Sequence, residues 1–268
     1  MHDRVVDRAA AYTTPGRLAV RDWLLIALSF TSGVYEAVSF LSFGKVFTGF
    51  QTGNIVFLGL GLDGTRPPAG PEPVTVIISL AAFAVGAAVA MPILHAFGAE
   101  TDVDEERFVW PRRVSVTLGT GLVLQVAFLA VWLATSKSTG ATYTLVALEA
   151  LALGMQMNAI RSLHVPGTST TAFTATFIGL VSGAASWSLS GPSVRRLLGG
   201  VVALGLGALL GDFLLSNAHA YAPLVPVVVI AVVIAVASGV LSPKRQSAPT
   251  SLVAGKMATQ FKVAARRG

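Results

Sequence analysis

Six long apolar runs, separated by short clusters of charge, constrain this chain more than any other feature. The runs lie at about Trp23–Phe43, Val74–Phe97, Val114–Ala134, Tyr143–Leu163, Val194–Ser216 and Pro223–Leu241. Each is long enough to cross about 30 Å of hydrocarbon as an α-helix. Only 12% of the residues are charged, too few to coat a soluble domain. The sequence therefore predicts a single all-α domain, a polytopic membrane protein with six transmembrane helices.

The lysines and arginines predict which ends of these helices face the cytoplasm. With the N-terminus inside, the outer connections hold just Lys45, Arg66 and Lys137, and all other basic clusters lie inside. Basic residues accumulate on the cytoplasmic side of bacterial membranes. Both termini are therefore predicted to be cytoplasmic, with residues 243–268 as a basic tail. The net charge of +6 follows from this topology, and no nucleic-acid partner is expected.

Two further segments fit neither a full span nor an ordinary loop. Gly44–Leu62 is apolar but interrupted by Gly, Gln, Thr and Asn, and Thr168–Ser190 is rich in Ser and Thr. If both crossed the membrane, Arg107, Arg112 and Arg113 would fall outside, against the charge rule. We therefore expect two re-entrant or broken helical segments, which are tolerated where protein or a water-filled cavity surrounds the backbone.

These two segments belong to a weak internal repeat. Glu36 and Asn158 are 122 residues apart, and further matches follow at that spacing over some thirty residues. Each half, 22–134 and 141–242, holds three spans and one broken segment. Because three is odd, the halves enter the membrane from opposite faces, which predicts an inverted repeat of two three-helix halves. Secondary transporters commonly have this architecture. A duplication kept for packing alone is the alternative.

Three acids within the predicted spans are candidates for proton coupling: Glu36, Glu149 and Asp212. No Lys or Arg lies at their level in the spans, and low dielectric disfavours the charged form of an unpaired acid. Such a group can bind and release protons near neutral pH. Glu36 is the foremost candidate because it precedes the first broken segment. Neutral, hydrogen-bonded structural residues, or residues of a wet vestibule, are the alternative.

The triplet Thr52, Gly53 and Asn54 precedes a short apolar stretch in the first broken segment. Glycine lets the backbone turn, and the free N–H groups of a helix start can bind an anion or polar group. The triplet is therefore predicted to bind substrate, although an ordinary helix cap would use the same residue types.

Polar residues of the second half complete the predicted substrate site. Gln156 and Asn158 lie two positions apart in one helix, about 200° around its axis. At most one of them can easily line a cavity, while the other bonds a neighbouring helix. Thr174 and Thr176 occupy the second broken segment and are assigned to the same site as Glu36.

Enzyme, metal and cofactor chemistry find no support in the sequence. There is no cysteine, and the four histidines are scattered singly without the spacing of a metal site. Neither a phosphate-binding lysine motif nor a nucleophile elbow is present. We therefore expect no metal, no cofactor and no enzymatic activity.

The sequence contains the motif G-x-x-E-A-x-x-F-L around Glu36, the T-G-N triplet, and the later motifs G-x-Q-x-N-A and T-x-T. Together they resemble the motifs of the YoaK-type membrane proteins, the family of domain of unknown function 1275. The resemblance runs from Trp23 to Leu241 and implies a six-span protein of the bacterial inner membrane, without implying a substrate. The family usually has Asp in place of Glu36. Its second T-G-T is here Thr174-Ala175-Thr176, so the second motif lacks the glycine of the first.

Taken together, these features favour a secondary transporter of a small solute, coupled to protons through Glu36. A passive channel or facilitator is an alternative that would not depend on a proton gradient. A non-transporting membrane scaffold or lipid-binding protein is another, and it predicts a dry, packed interior between the broken segments. Membrane lipids and an unidentified solute are the expected partners, and a homo-oligomer is left open.

Overall fold

Seven α-helices make up most of the described part of the chain. The structure is a computed structural model and describes residues 14–62, 70–96, 109–135, 138–165, 181 and 192–241. The helices are α1 (Pro15–Ser42), α2 (Gln51–Leu62), α3 (Pro73–Ala96), α4 (Arg112–Ala134), α5 (Thr139–Arg161), α6 (Pro192–Asn217) and α7 (Leu224–Val236), the last extended by a π-helical turn at Ala237–Leu241. No strand occurs in these ranges. Six helical segments within them are long and apolar enough to cross a membrane, which confirms the six predicted spans.

Local sequence signals explain several helix ends. Pro15 occupies the first turn of α1, where its missing N–H would have no partner within the helix. The Ser138 hydroxyl caps α5 by accepting a hydrogen bond of 3.3 Å from a first-turn backbone N–H. After Ser42, Gly44 and Lys45 adopt φ values of 78° and 66°, left-handed conformations that end a helix. This turn sends residues 43–50, called here the re-entrant loop, back into the bundle.

Helix α2 is too short to cross a membrane. Its 12 residues extend about 18 Å. Its last turn lies at the beginning of α3, because Gly61 packs beside Pro73. Its first turn lies beside the middle of α3, where Thr52 and Phe83 border the same cavity. The chain therefore enters the bundle through the re-entrant loop and returns by α2, as predicted for Gly44–Leu62.

Two predicted segments fall largely outside the described residues. Thr168–Ser190, the second broken segment, is described at Val181 alone, and residues 243–268, the predicted basic tail, are not described.

The bundle has two faces that long-range hydrogen bonds help to define. At one face, Arg17 at the beginning of α1 donates 2.9 Å to the carbonyl of Val240 at the end of the last span. At the other, Trp132 near the end of α4 donates 3.2 Å to the carbonyl of His219 in the connection after α6. The first, called here the N-terminal face, also holds the ends of α3 and α5. It is the face predicted to be cytoplasmic.

Helices α1 and α6 form the most extensive contact of the bundle, and glycines bring their backbones together. A Cβ atom at Gly33 would clash with the carbonyl oxygen of Leu204, and one at Gly207 would clash with the carbonyl oxygen of Phe30. Small residues permit this close approach between helices in membranes.

Helices α3 and α5 form the next most extensive contact, and its glycine contacts match those of α1 and α6. A Cβ at Gly154 would clash with the carbonyl oxygen of Phe83, and one at Gly86 with that of Leu151. Every residue of one set lies 121 positions from its counterpart in the other: Gly33 and Gly154, Phe83 and Leu204, Phe30 and Leu151, Gly86 and Gly207.

This spacing differs by one residue from the 122 residues that the sequence comparison predicts. Applied to α1 and α5, a spacing of 121 places Met157, rather than Asn158, opposite Glu36. Backbone contact at a glycine depends on the position of that residue, whereas matches among Ala, Leu and Thr arise easily by chance in apolar helices. The glycine contacts are therefore the better guide to which residues correspond.

Candidate functional site

Glu36 lies on the inner side of α1 and holds the re-entrant loop. Its side chain is buried, and its carboxylate accepts hydrogen bonds from the backbone N–H groups of Gly49 at 2.7 Å, Phe50 at 2.9 Å and Thr48 at 3.3 Å. Three successive N–H groups form a concave nest suited to a negative charge. A Cβ at Gly49 would lie 2.5 Å from Glu36 Oε1, so glycine is required for this close approach.

Glu149 on α5 faces the same loop from the other side. It is fully buried, and its Oε1 accepts a hydrogen bond of 3.0 Å from the Thr48 hydroxyl. Thr48 thus joins the two acids, with its N–H on Glu36 and its hydroxyl on Glu149. Within the described residues, Glu149 Oε2 has no hydrogen-bond partner, and the buried hydroxyl of Tyr35 has none either.

The two carboxylates, called here the acid pair, have no basic partner in the described part of the chain. The hydrogen bonds of Glu36 come from the backbone, and that of Glu149 from a hydroxyl. The ion pairs found there are those of Asp22, near the N-terminal face. Burying a charge without a counter-ion is costly, and the three backbone N–H groups offset part of that cost at Glu36.

Asn54 of the predicted T-G-N triplet serves the fold. It is fully buried; its Oδ1 accepts 3.1 Å from the Phe47 N–H and its Nδ2 donates 2.6 Å to the Phe47 carbonyl. Ser79 of α3 also donates to that carbonyl, at 2.6 Å, and Gln51 donates 3.2 Å to the Ser79 hydroxyl. These bonds fasten the re-entrant loop to α2 and α3. Asn54 therefore bonds the backbone of the loop at Phe47, whereas an ordinary cap would bond the first turn of its own helix.

The other two members of the triplet lie at the surface of α2. Gly53 packs against the ring of Phe47, which a Cβ would approach to 3.1 Å. Thr52 is exposed and borders a cavity of about 860 Å³. Of the triplet, Thr52 is thus the residue whose side chain can reach a ligand.

This cavity lies between the first turn of α2 and the helices α3, α4 and α5. Its described lining is Gln51, Thr52, Phe83, Ala87, Met91, Leu94, His95, Arg113, Gly154, Met157, Asn158, Arg161, Ser162 and His164. From Phe83 to His95 it follows α3 for about 18 Å. It therefore reaches from the middle of the bundle to the N-terminal face.

Gln156 and Asn158 point in different directions from α5. Asn158 borders the cavity and its Nδ2 donates 2.8 Å to the carbonyl of Ala87 on α3. Gln156 is buried against α1, where its Nε2 donates 3.3 Å to the hydroxyl of Ser32. The two amides thus bond two different helices, and Asn158 alone of the two borders the cavity.

Of the remaining predicted site residues, Asp212 neither bonds the acid pair nor borders the cavity. Asp212 is exposed on α6 and makes no hydrogen bond or ion pair with the described residues. Thr174 and Thr176 lie outside the described residues. Within the described ranges, no group of three or more His, Asp or Glu residues is placed to hold a metal ion.

Sequence reasoning did not single out Thr48, Ser79 or Tyr35 as site residues. Thr48 links the acid pair, and Ser79 is a fully buried hydroxyl in an otherwise apolar part of α3. A buried hydroxyl is costly unless it is hydrogen-bonded, so an isolated Ser or Thr in an apolar run is a usable signal. Such a residue is expected to form a hydrogen bond, although the sequence does not identify its partner.

A bundle of six membrane-length helices with a re-entrant helical segment defines a multi-pass α-helical membrane protein. The family model described as "Protein of unknown function (DUF1275)" matches residues 24–236, and the chain belongs to this family. The UPF0700 transmembrane protein YoaK of Bacillus subtilis is 30% identical over 166 residues, which cover 61% of this chain and 67% of that protein. No solved structure matches. These findings confirm the YoaK-type resemblance and leave the function to be inferred from the site.

Proposed function

We propose that the protein is a secondary transporter that moves a small solute across the bacterial inner membrane, with both termini in the cytoplasm. The observation that carries this proposal is the position of α2, a half-length helix whose first turn borders a cavity at the middle of the bundle. Transporters commonly hold their solutes at the ends of such discontinuous helices.

The cavity has the size that a small solute requires. At about 860 Å³, it falls within the range of about 300–1,000 Å³ typical of small-molecule sites. Thr52 and Asn158 supply polar groups on its wall, beside apolar residues such as Phe83. A scaffold with a dry, packed interior would not need such a space, so the cavity favours a solute-binding protein.

The helix contacts support the proposed inverted repeat. In the proposed repeat, α1, α3 and α4 of the first half correspond to α5, α6 and α7 of the second half. The contact of α1 with α6 then corresponds to the contact of α5 with α3. These are the two most extensive contacts of the bundle, and their glycines match at 121 residues. Two such pairs can rock against each other around a central site, which is the usual motion of carriers built from inverted repeats.

The acid pair supplies a means of coupling solute movement to protons. Glu36 binds the backbone of the re-entrant loop, and the cavity lining begins at Gln51, the first residue after that loop. A protonated carboxyl accepts N–H groups less well than a carboxylate does, so proton binding at Glu36 weakens the attachment of the loop. Protonation and cavity shape are thereby linked through residues 43–50.

Transport by purified protein in liposomes tests the proposal. Vesicles containing the pH-sensitive dye pyranine receive an imposed pH gradient and then, one at a time, amino acids, sugars, carboxylates and inorganic phosphate. We expect at least one solute class to move protons with it, and Glu36→Gln to abolish that proton movement. Glu72→Gln, which changes an exposed acid outside α1 and α5, is the matched control and should behave as the wild type.

Each other outcome contradicts a named part of the proposal. Solute movement that ignores the pH gradient and the Glu36→Gln change would make the protein a passive facilitator. Absence of movement for every solute class would exclude transport of those solutes and favour the scaffold.

A further inference from the structure

The two acids of the pair are unequally supplied with hydrogen-bond donors. Glu36 accepts bonds from three backbone N–H groups, whereas Glu149 accepts a single bond, from the Thr48 hydroxyl to its Oε1. Glu149 is fully buried, and its Oε2 has no partner within the described residues. A negative charge on Glu149 would therefore be buried with one donor, beside the carboxylate that also bonds Thr48.

Two further buried oxygens without a partner in the described part of the chain lie near Glu149. They are the hydroxyl of Tyr35 on α1 and the Oε1 of Gln125 on α4. Tyr35 is close enough to Glu149 for their charges to interact. Its ring also meets that of Phe128, one turn beyond Gln125, edge-on with 6.1 Å between the centroids. Tyr35 thus extends from α1 towards both α4 and α5.

The packing of α4 against α5 places Gln125 at the level of Glu149. A Cβ at Gly121 of α4 would lie 3.6 Å from the carbonyl oxygen of Ala152 on α5. Because these helices run in opposite directions, four residues after Gly121 and three residues before Ala152 both lie about 4.5–6 Å further from the N-terminal face. Those positions are Gln125 and Glu149. The three oxygens without partners, called here the polar junction, therefore lie at one depth where α1, α4 and α5 meet.

The polar junction has more acceptors than donors. A carboxylate oxygen and an amide oxygen only accept, and a tyrosine hydroxyl supplies one hydrogen. If Glu149 were ionised, two carboxylates that both bond Thr48 would be charged together. A proton on Glu149 Oε2 supplies a second donor and removes one of the two charges. When two carboxylates share a buried site, one of them commonly holds a proton.

No basic group takes the place of that proton in the described part of the chain. The titratable groups that interact with Glu149 there are Glu36 and Tyr35, both on α1. The re-entrant loop presents Thr48 and α4 presents Gln125, neither of which carries a charge. The sequence 166–191, which follows α5, contains no charged residue.

We propose that Glu149 stores a proton at the polar junction while Glu36 remains ionised in its nest of N–H groups. The inference rests on the proposed function, which it deepens by naming the source of the proton that loosens the loop. On transfer, the O–H bond at Glu149 breaks and one forms at Glu36 Oε2, which accepts only the 3.3 Å bond from Thr48. Gly49 and Phe50 keep their bonds to Oε1, so the loop is released first at Thr48.

Infrared spectroscopy of the purified, full-length protein at neutral pH tests the inference without requiring transport. The carbonyl stretch of a protonated carboxyl is separate from the carboxylate and amide bands, and it shifts in heavy water. We expect the wild type to show this band, Glu149→Gln to lose it and Glu36→Gln to keep it. Tyr35→Phe, which retains the ring beside Phe128, should keep the band but move it to higher frequency, because the protonated carboxyl loses a hydrogen-bond partner.

Glu72→Gln and Tyr143→Phe are the matched controls. Glu72 is an exposed acid, and the Tyr143 hydroxyl donates to it at 3.5 Å, away from the polar junction. Both variants should leave the band unchanged. A band that is lost in Glu36→Gln and kept in Glu149→Gln would place the proton on Glu36 and overturn the inference, as would a wild type without the band. If Glu149→Gln does not fold, the Tyr35→Phe shift decides, and an unmoved band means that the proton lies elsewhere.

The spectroscopic result and the transport result can fail separately. A band assigned to Glu149 without movement of any solute class leaves the proton site standing and refutes the transporter. Proton-coupled transport without the band leaves the transporter standing and overturns the assignment of the proton to Glu149.

Discussion

Glu36 serves the fold as well as the proposed coupling. Its carboxylate is the acceptor for three backbone N–H groups of the re-entrant loop, whereas Glu149 accepts a single bond from the Thr48 hydroxyl. The two acids therefore differ in what they bond: Glu36 bonds three backbone groups of the loop, and Glu149 bonds a single side chain of it. Substitutions at the two positions should separate stability from coupling.

Glu36→Gln should lower stability more than Glu149→Gln. An amide has one acceptor oxygen in place of two, so at least one buried N–H of the loop loses its acceptor, at a cost of about 1–3 kcal/mol. A glutamine at position 149 keeps an acceptor for the Thr48 hydroxyl. Thermal unfolding in detergent, followed by tryptophan fluorescence, measures both. Equal melting temperatures for the two variants would show that the Glu36 bonds do not hold the loop.

Gly49→Ala should displace the Glu36 carboxylate. The new Cβ would lie 2.5 Å from Glu36 Oε1, and the carboxylate is held in place by its backbone donors, so overpacking of about 1–3 kcal/mol is expected. Gly59→Ala is the matched control, because nothing lies within 4 Å of a Cβ at that position on α2. Melting temperatures compare the two; a neutral Gly49→Ala would mean that the loop can shift at little cost.

The polar residues of the site could be found from the sequence, but their partners could not. Glu36, Glu149 and Asn54 stand out because a polar side chain in a membrane span is costly. Their partners are backbone N–H groups and hydroxyls brought close by the turn after α1. Backbone groups have no signature in the sequence, so the anchoring role of Glu36 and Asn54 emerges from the structure alone.

Helix α2 shows which property of an element its sequence encodes. The glycines and polar residues of Gly44–Leu62 predict an interrupted segment, because they break an otherwise apolar run. The division into an eight-residue loop and a 12-residue helix depends on the left-handed Gly44 and Lys45 and on tertiary bonds to α1 and α3. The interruption of the segment was therefore predictable from the sequence, whereas the bounds of the loop and of the helix were not.

Helix pairing through glycines leads to a prediction within α6. Gly207→Ala should destabilise the protein by about 1–3 kcal/mol, because the new Cβ clashes with the carbonyl oxygen of Phe30 and must push α1 away. Gly205→Ala, two residues earlier in the same helix, meets nothing within 4 Å and should change stability by no more than about 1 kcal/mol. Thermal unfolding distinguishes them, and similar melting temperatures would mean that α1 and α6 are not closely packed.

The corresponding substitution in the other helix pair tests whether the two contacts are equivalent. Gly86→Ala in α3 places its Cβ against the carbonyl oxygen of Leu151, as Gly207→Ala does against Phe30. The two losses in melting temperature should agree closely if the halves are built alike. A loss confined to one of the pairs would contradict the proposed repeat, even though the six spans would stand.

At the scale of the whole molecule, the acid pair and the cavity lie at different depths in the bundle, on opposite sides of the first turn of α2. The acid pair lies behind the re-entrant loop, and the cavity extends from Thr52 to the N-terminal face. A solute arriving from that face would therefore meet the basic residues first and the loop last. In the proposed mechanism, the cavity therefore connects the N-terminal face, proposed to lie in the cytoplasm, with the loop that Glu36 holds.

Single-cysteine labelling tests that orientation. The chain has no cysteine, so Thr139→Cys and Ala96→Cys each introduce the sole thiol, both at exposed positions and separated by the span α4. In right-side-out vesicles, a membrane-impermeant maleimide should label Thr139→Cys and leave Ala96→Cys unlabelled, and inside-out vesicles should give the reverse. Labelling of both from one side would mean that α4 does not cross the membrane. A fully inverted pattern would instead place the N-terminal face outside, so that a solute would reach the cavity from the exterior.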